Sequence, residues 1–381
     1  MTLPEYYARA EEKLKNGCTG CGNCVSGCRA AEYMPSAPEP RRTQKDILEF
    51  LRGGEGPSEA AGLKAASCMR CYGCLDVQCP IGINSLQINE LIAREMHRRG
   101  KLEWDIPLYP VHEGLARQGT TEEEYRRITT PVADGKAACL FFPGCNVYKQ
   151  PDKLLNALTI LDATGEAYSF APGMLYCCGS SPRGVRGDVE WARQAAEKLF
   201  AFAEDLKIKK MIFWCPTCMS VLQDRIRPFR HIPFACVSLS GHMLEHMGRL
   251  RFPHALPRRI TYHEPCKNAY MGIEPESARR VLLSIPGTEL LEMKRHGKNT
   301  ACCGGAAAGS NPEVAGRAAL RRLREARATG ADTLVTLCHN CHLLLKSALK
   351  KQREPDWHFS VENFSTYVAG AMGLARPDSL T

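Results

Sequence analysis

Ten cysteines in this chain are written to one pattern, and the pattern is used twice. Cys145, the adjacent pair Cys177–Cys178, and Cys215-x2-Cys218 form one set; Cys266, the pair Cys302–Cys303, and Cys338-x2-Cys341 form the other. Equivalent positions lie 121, 125, 125, 123 and 123 residues apart, which marks an internal repeat. Eight more cysteines precede the repeats in two tight runs, so eighteen of the twenty fall into four spaced groups. Such a chain must fold so that each group closes on a common centre, and metal clusters are the centres that groups of thiols serve.

The bulk properties fit that reading. A chain of 381 residues predicts two or three domains, and its 44% apolar content is ordinary for a globular protein. The first residues, MTLPEYYARAEEKLKNG, show no basic segment leading into an apolar one, which predicts no signal peptide. No run of 18 or more apolar residues predicts a membrane span. The expected location is cytoplasmic, with a membrane approached only through a partner. In that reducing setting, metal-bound thiolates are a better reading than disulfides. The net charge of +9 is spread over pairs such as Arg41–Arg42, Arg98–Arg99, Arg258–Arg259 and Arg321–Arg322. These read as solvated helix faces, or as a docking surface for an acidic redox partner. The basic residues are not interleaved with aromatics and no DNA- or RNA-binding motif appears, which argues against nucleic acid.

The expected fold class is α/β: an all-helical N-terminal domain at 1–104, a linker at 105–136, and two repeated α/β units at 137–255 and 256–381. In the first domain, residues 43–67 read as helix, Gly/Pro break, helix, and residues 83–100 have helical periodicity ending at Gly100. The linker is rich in Pro and Gly and is expected to wrap on its neighbours. Each repeat alternates strand and helix. KAACLFF, KMIFW, RRITY and TLVTL read as strands, and the longest helices are expected over 188–206 and 312–330. That alternation predicts mainly parallel sheets.

The N-terminal runs are Cys18-x2-Cys21-x2-Cys24-x3-Cys28 and Cys68-x2-Cys71-x2-Cys74-x4-Cys79-Pro80. Three closely spaced thiolates wrap three corners of a cubane, and the fourth corner comes from elsewhere. In two-cluster ferredoxins the last cysteine of each run ligates the other cluster. Cys18, Cys21, Cys24 and Cys79 are therefore assigned to one cubane [4Fe–4S] cluster, and Cys68, Cys71, Cys74 and Cys28 to a second. The competing reading, structural zinc, generally uses two separated Cys-x2-Cys pairs. The runs resemble the helical two-cluster ferredoxin domain of the respiratory fumarate reductase and heterodisulfide reductase type. Arg29 stands where that pattern has proline, and four residues instead of three precede Cys79.

In the repeats, adjacent cysteines diverge too far for one regular cubane and suit a more open cluster. Gly179 and Gly304–Gly305 follow the pairs and allow a tight turn and close approach to a bulky cofactor. Cys215 and Cys338 each follow a strand and open a helix, where thiolates and anionic clusters are favoured. The segments FPGC (142–145), YCCG (176–179), WCPTC (214–218), YHEPC (262–266), CCGG (302–305) and LCHNC (337–341) resemble the paired cysteine-rich CCG domains of heterodisulfide reductase. Related domains occur in iron–sulfur subunits of anaerobic glycerol-3-phosphate and glycolate dehydrogenases.

The resemblance implies an iron–sulfur oxidoreductase subunit. Cys145, Cys177, Cys178, Cys215 and Cys218 would hold one noncubane [4Fe–4S] cluster, and Cys266, Cys302, Cys303, Cys338 and Cys341 a second. A disulfide would be reduced between them, making these ten the candidate catalytic ligands. Relatives lacking one cysteine carry an ordinary cluster or zinc, which is the alternative for either site here. No GxGxxG or P-loop fingerprint appears, so neither nucleotide nor flavin is expected on this chain. The electron donor would be a flavoprotein or another iron–sulfur subunit. The alternative is a conduit in a dehydrogenase or electron-bifurcating complex, with no substrate of its own.

Outside the motifs, Cys139 and Cys236 read as buried structural thiols. His263, His339 and His342 flank cluster cysteines and read as packed residues, or as tuners of the sulfur ligands and proton donors to a leaving thiolate. Arg183, Arg186 and Lys267 read as solvated, or as charges that orient an anionic substrate.

Overall fold

The architecture is that of a computed structural model, described here for residues 3–34, 39–68, 70–101, 109–180, 184, 188–352 and 357–378. The N-terminal region is helical. Helices run over Leu3–Gly17, Asn23–Ser26, Pro40–Leu51, Glu59–Ala66 and Ser85–Arg98. The Gly/Pro break at 53–57 separates the middle pair as expected. Asn84 starts the last helix with a capping box closed by Gln87.

The two repeats form two sheets of one design. The first contains β1 (Cys139–Phe142), β2 (Tyr168–Phe170), β3 (Lys210–Phe213) and β4 (Ala235–Ser238) in the order β2-β1-β3-β4. The second contains β5 (Arg258–His263), β6 (Thr288–Leu290), β7 (Thr333–Thr336) and β8 (Ser360–Asn363) in the order β6-β5-β7-β8. All neighbouring strands are parallel. The central strands β1 and β7 are buried throughout, which their apolar runs require when both faces are covered.

In each sheet the chain leaves the first strand to one side and returns on the other. This creates a topological switch point, with a crevice outside the carboxyl ends of the two middle strands. Crossover helices at Pro151–Thr164, Val189–Asp205, Ser277–Leu283 and Pro312–Arg327 cover the faces.

The halves share a core. Phe141, Leu154 and Leu158 of the first unit lie in one buried cluster with Tyr262, Val281 and Tyr367 of the second. The helix Pro151–Thr164 packs on Phe364–Ala371, and Leu239–Glu245 packs on Ser277–Leu283. The described part of the expected linker is more ordered than its Pro and Gly content suggested. It contains helices at Tyr109–Arg117 and Glu122–Thr129, the second opened by a Thr121/Glu124 capping box. Ala116 and Ile128 enter the shared core, and Val132 bridges to Phe170.

Candidate metal-cluster site

Every motif cysteine of the two repeats lies beyond the carboxyl end of a strand. Cys145 follows β1, Cys177–Cys178 follow β2, and Cys215 follows β3; Cys266, Cys302–Cys303 and Cys338 follow β5, β6 and β7 in the same way. The crevice at each switch point is therefore lined by five thiols. In the second unit, Cys266 Sγ lies 3.7 Å from Cys302 Sγ, and Cys303 Sγ lies 3.1 Å from Cys341 Sγ. In the first, Cys145 is linked to Cys177, and Cys178 and Cys215 both to Cys218. All ten are free thiols.

Cys215 and Cys338 are N-caps of the helices Pro216–Val221 and His339–Lys350, with φ/ψ of −72/119° and −80/130°. The Cys218 thiol, then the Cys218 and Thr217 amides, hold the Cys215 thiol down at about 6 despite its burial. Hydrogen bonds from Cys302 and Cys341 bring Cys303 to about 6. Neighbouring thiols and burial push Cys145, Cys178, Cys218, Cys266, Cys302 and Cys341 well up, so each crevice crowds thiols that bound metal ions would hold as thiolates.

Gly144, at φ +82°, leaves room for the converging thiols: a Cβ there would stand 2.8 Å from Cys215 Cβ and 3.3 Å from Cys218 Sγ. Gly179 and Gly304, at φ +83° and +88°, have a different task from the expected approach to a cofactor. A Cβ on them would strike the Ala192 carbonyl oxygen at 2.3 Å and the Ala315 carbonyl oxygen at 2.7 Å, so they let the paired cysteines pass under a covering helix.

In the N-terminal region the structure brings Cys18, Cys21 and Cys79 around Cys24, and sets Cys68 and Cys28 beside Cys74. Burial, before these neighbours, raises Cys24 to about 11 and Cys74 to about 12. Three buried polar side chains serve these sulfurs and were not singled out from the sequence. Gln44 accepts from Cys24 at 2.7 Å and donates to Cys18 at 3.4 Å, and Asn89 donates to Cys68 at 3.2 Å. Lys64 bonds Asn89 and lowers both Cys24 and Cys74 electrostatically. A lysine in the otherwise small and apolar helix EAAGLKAA was the available signal.

The thiol groups also meet one another. Cys71 acts on the Cys266 and Cys302 thiols, and all three share one buried cluster. Cys215 acts on Cys338 across the two repeats. Arg29, the departure noted after Cys28, places its guanidinium 5.7 Å over the Tyr270 ring, between Cys71 and Cys266. Arg70 and Tyr72, on either side of Cys71, adopt φ of 43° and 67°. Such backbone is costly without glycine and needs outside support. It comes from Glu90, bonded by Arg70, Tyr7 and the Arg225 guanidinium of the first repeat, and from Asp224, which accepts from Tyr72 at 3.3 Å.

The three histidines are buried and neutral. Desolvation lowers His339 and His342 to about 3, and His263 well below the usual range. His263 accepts from Arg322 at 2.9 Å and lies with Cys303 and Cys341 in one potential ligand group. His339 packs edge-on to Trp214 at 4.2 Å, and neither of its ring nitrogens has a hydrogen-bond partner among the described residues. Lys267 stands near both Cys215 and Cys266. Arg183 and Arg186 lie outside the described residues. Cys139 is in β1, and Cys236 in β4 is only half-buried.

The cysteine-rich CCG domain family matches residues 139–223 and 260–346. The chain carries two CCG domains. Beyond them, the chain is similar along most of its length to a subunit of the dihydromethanophenazine:CoB–CoM heterodisulfide reductase of Methanosarcina barkeri, 25% identical over 94% of each chain. A subunit of the CoM/CoB fumarate reductase of Methanothermobacter marburgensis is 25% identical over 92% of this chain and 71% of its own length. The probable iron–sulfur-binding oxidoreductase FadF of Bacillus subtilis is 23% identical over 90% of this chain and 53% of its own length. The CCG domains and these relatives support iron–sulfur clusters and a general oxidoreductase role. No helix among the described residues is long and apolar enough to cross a membrane.

Proposed function

We propose that the chain is a disulfide-reducing iron–sulfur subunit of the heterodisulfide reductase type. The observation that carries this reading is the pair of complete five-thiol crevices, one at each switch point, with Cys215 and Cys338 close enough to act on each other. Cys145, Cys177, Cys178, Cys215 and Cys218 would hold one noncubane cluster, and Cys266, Cys302, Cys303, Cys338 and Cys341 the other. Cys18, Cys21, Cys24 and Cys79 would hold one cubane, and Cys68, Cys71, Cys74 and Cys28 the second. Bound there, the clusters supply one-electron transfer and an iron centre for sulfur.

The protein's own residues set the order and the surroundings. The Cys68/Cys71/Cys74 group abuts the second repeat, and a flavoprotein or iron–sulfur donor subunit would deliver electrons to the Cys18/Cys21/Cys24 group. Lys267 supplies positive charge between the repeats, favouring thiolates. Its site suits a reaction in which a disulfide takes two electrons and two protons, its S–S bond breaks, and two thiols leave. The compartment is the reducing cytoplasm, with any membrane reached through a partner. The names of the relatives favour a reductase over a conduit.

The test is a single turnover under anaerobic conditions. Protein reduced by a viologen is mixed with an asymmetric thiol disulfide, and thiols are counted. The expected result is about two thiols per disulfide consumed, abolished in Cys178→Ala and Cys303→Ala. Protein that passes electrons to a dye but leaves every disulfide intact would be a conduit.

A further inference from the structure

At the opposite end of the first sheet from the cluster crevice, four potential ligands converge. Glu166 precedes β2, Cys139 opens β1, and His242 and His246 lie four residues apart at the end of the helix Leu239–Glu245, on one face. His246 Nε2 is 3.2 Å from Glu166 Oε2, and His242 Nδ1 is 3.7 Å from the same oxygen. Donor atoms from these three residues lie within 4.8 Å of one another. The Cys139 thiol is near the same carboxylate but outside that 4.8 Å group, and would complete the shell by turning its side chain inward.

The hydrogen bonding leaves a gap in the chemistry. His246 Nδ1 faces its own helix's His242 carbonyl oxygen at 2.9 Å, so it carries the proton and donates. Its Nε2 faces Glu166 Oε2. His242 is fully buried, and its Nδ1 has no hydrogen-bond partner among the described residues. One cation between the three atoms gives the buried His242 nitrogen a partner. A tetrahedron with bonds of about 2.0–2.1 Å has edges of about 3.3–3.4 Å, close to the two separations seen. The Nδ1–H bond to a backbone carbonyl is also the usual way a metal-ligating histidine is oriented.

We propose that His242, His246, Glu166 and Cys139 form a binding site for one divalent cation of the zinc class. The donor set is two nitrogens, one oxygen and one sulfur. Binding releases the Cys139 proton to solvent, because a coordinating thiol is deprotonated. Lys210, whose ammonium lies 3.1 Å from Glu166 and 2.9 Å from Glu245, gives up the first partner and keeps the second. The cation would pin the helix and the loop before β2 to the sheet edge, away from the cysteine motifs.

The test uses the full cluster-loaded chain, incubated anaerobically with one equivalent of zinc and desalted. Zinc and iron are counted and the zinc absorption edge is recorded. The expected result is about one zinc per chain with mixed nitrogen, oxygen and single-sulfur coordination. His246→Asn and Glu166→Gln should each retain about tenfold less zinc, with iron unchanged as the check that the fold survives. No zinc retained by the parent, retention in both variants as high as in the parent, or a shell of four sulfurs would overturn the site; the last would put the metal in a cysteine motif.

Discussion

Glu90 is almost fully buried, and it holds two buried guanidiniums and a tyrosine hydroxyl at once. Neutralising it would remove the carboxylate that the two buried guanidiniums share. Glu90→Gln should therefore destabilise the protein by about 3–5 kcal/mol, read from the denaturant midpoint. Removing the exposed Glu190–Arg193 pair should cost far less, and an equal loss in both would refute the special role of Glu90. Gly144 makes a second prediction. In Gly144→Ala the added methyl enters the space beside Cys215, on backbone at φ +82°. Iron content should fall by about four atoms per chain while the remaining clusters survive. Unchanged iron would show that Gly144 does not line the cluster space.

At the scale of elements, much of the chain was legible. The central strands β1, β3, β5 and β7 are short apolar runs flanked by amphipathic helices, and their expected positions match the structure closely. The edge strands β2, β4, β6 and β8 were not read as strands. At three or four residues each they carry no period of their own and exist through pairing with a formed neighbour. Residues 105–136 were read through their prolines and glycines, which masked the Thr121-x2-Glu124 capping signal. Anchoring of that segment is testable. Tyr148 donates to the Ile128 carbonyl oxygen at 2.6 Å and accepts from the Gly173 amide at 3.1 Å, joining the segment to the loop that leads to Cys177. Tyr148→Phe should cost about 1–3 kcal/mol of stability in thermal unfolding and raise proteolysis within 109–136. A variant as stable and protected as the parent would contradict the anchor.

Across the whole molecule, the cysteine spacing announced four groups, but it did not show which groups touch. Contact between groups depends on left-handed backbone at Arg70 and Tyr72, on Arg29 over Tyr270, and on polar residues that become partners only once helices pack. Lys64 acts on both Cys24 and Cys74, Cys71 on Cys266 and Cys302, and Cys215 on Cys338, and the proposed electron order follows these contacts. Fully loaded protein should contain about sixteen irons, and Cys71→Ala should slow reduction of the repeat clusters more than it lowers total iron. The most direct measurement of disulfide reduction between the repeats is anaerobic electron paramagnetic resonance of the loaded protein, with and without an asymmetric thiol disulfide. A new or shifted cluster signal on adding the disulfide, lost in Cys303→Ala, is the expected result. Identical spectra with and without every disulfide offered, in protein whose clusters are intact, would contradict it.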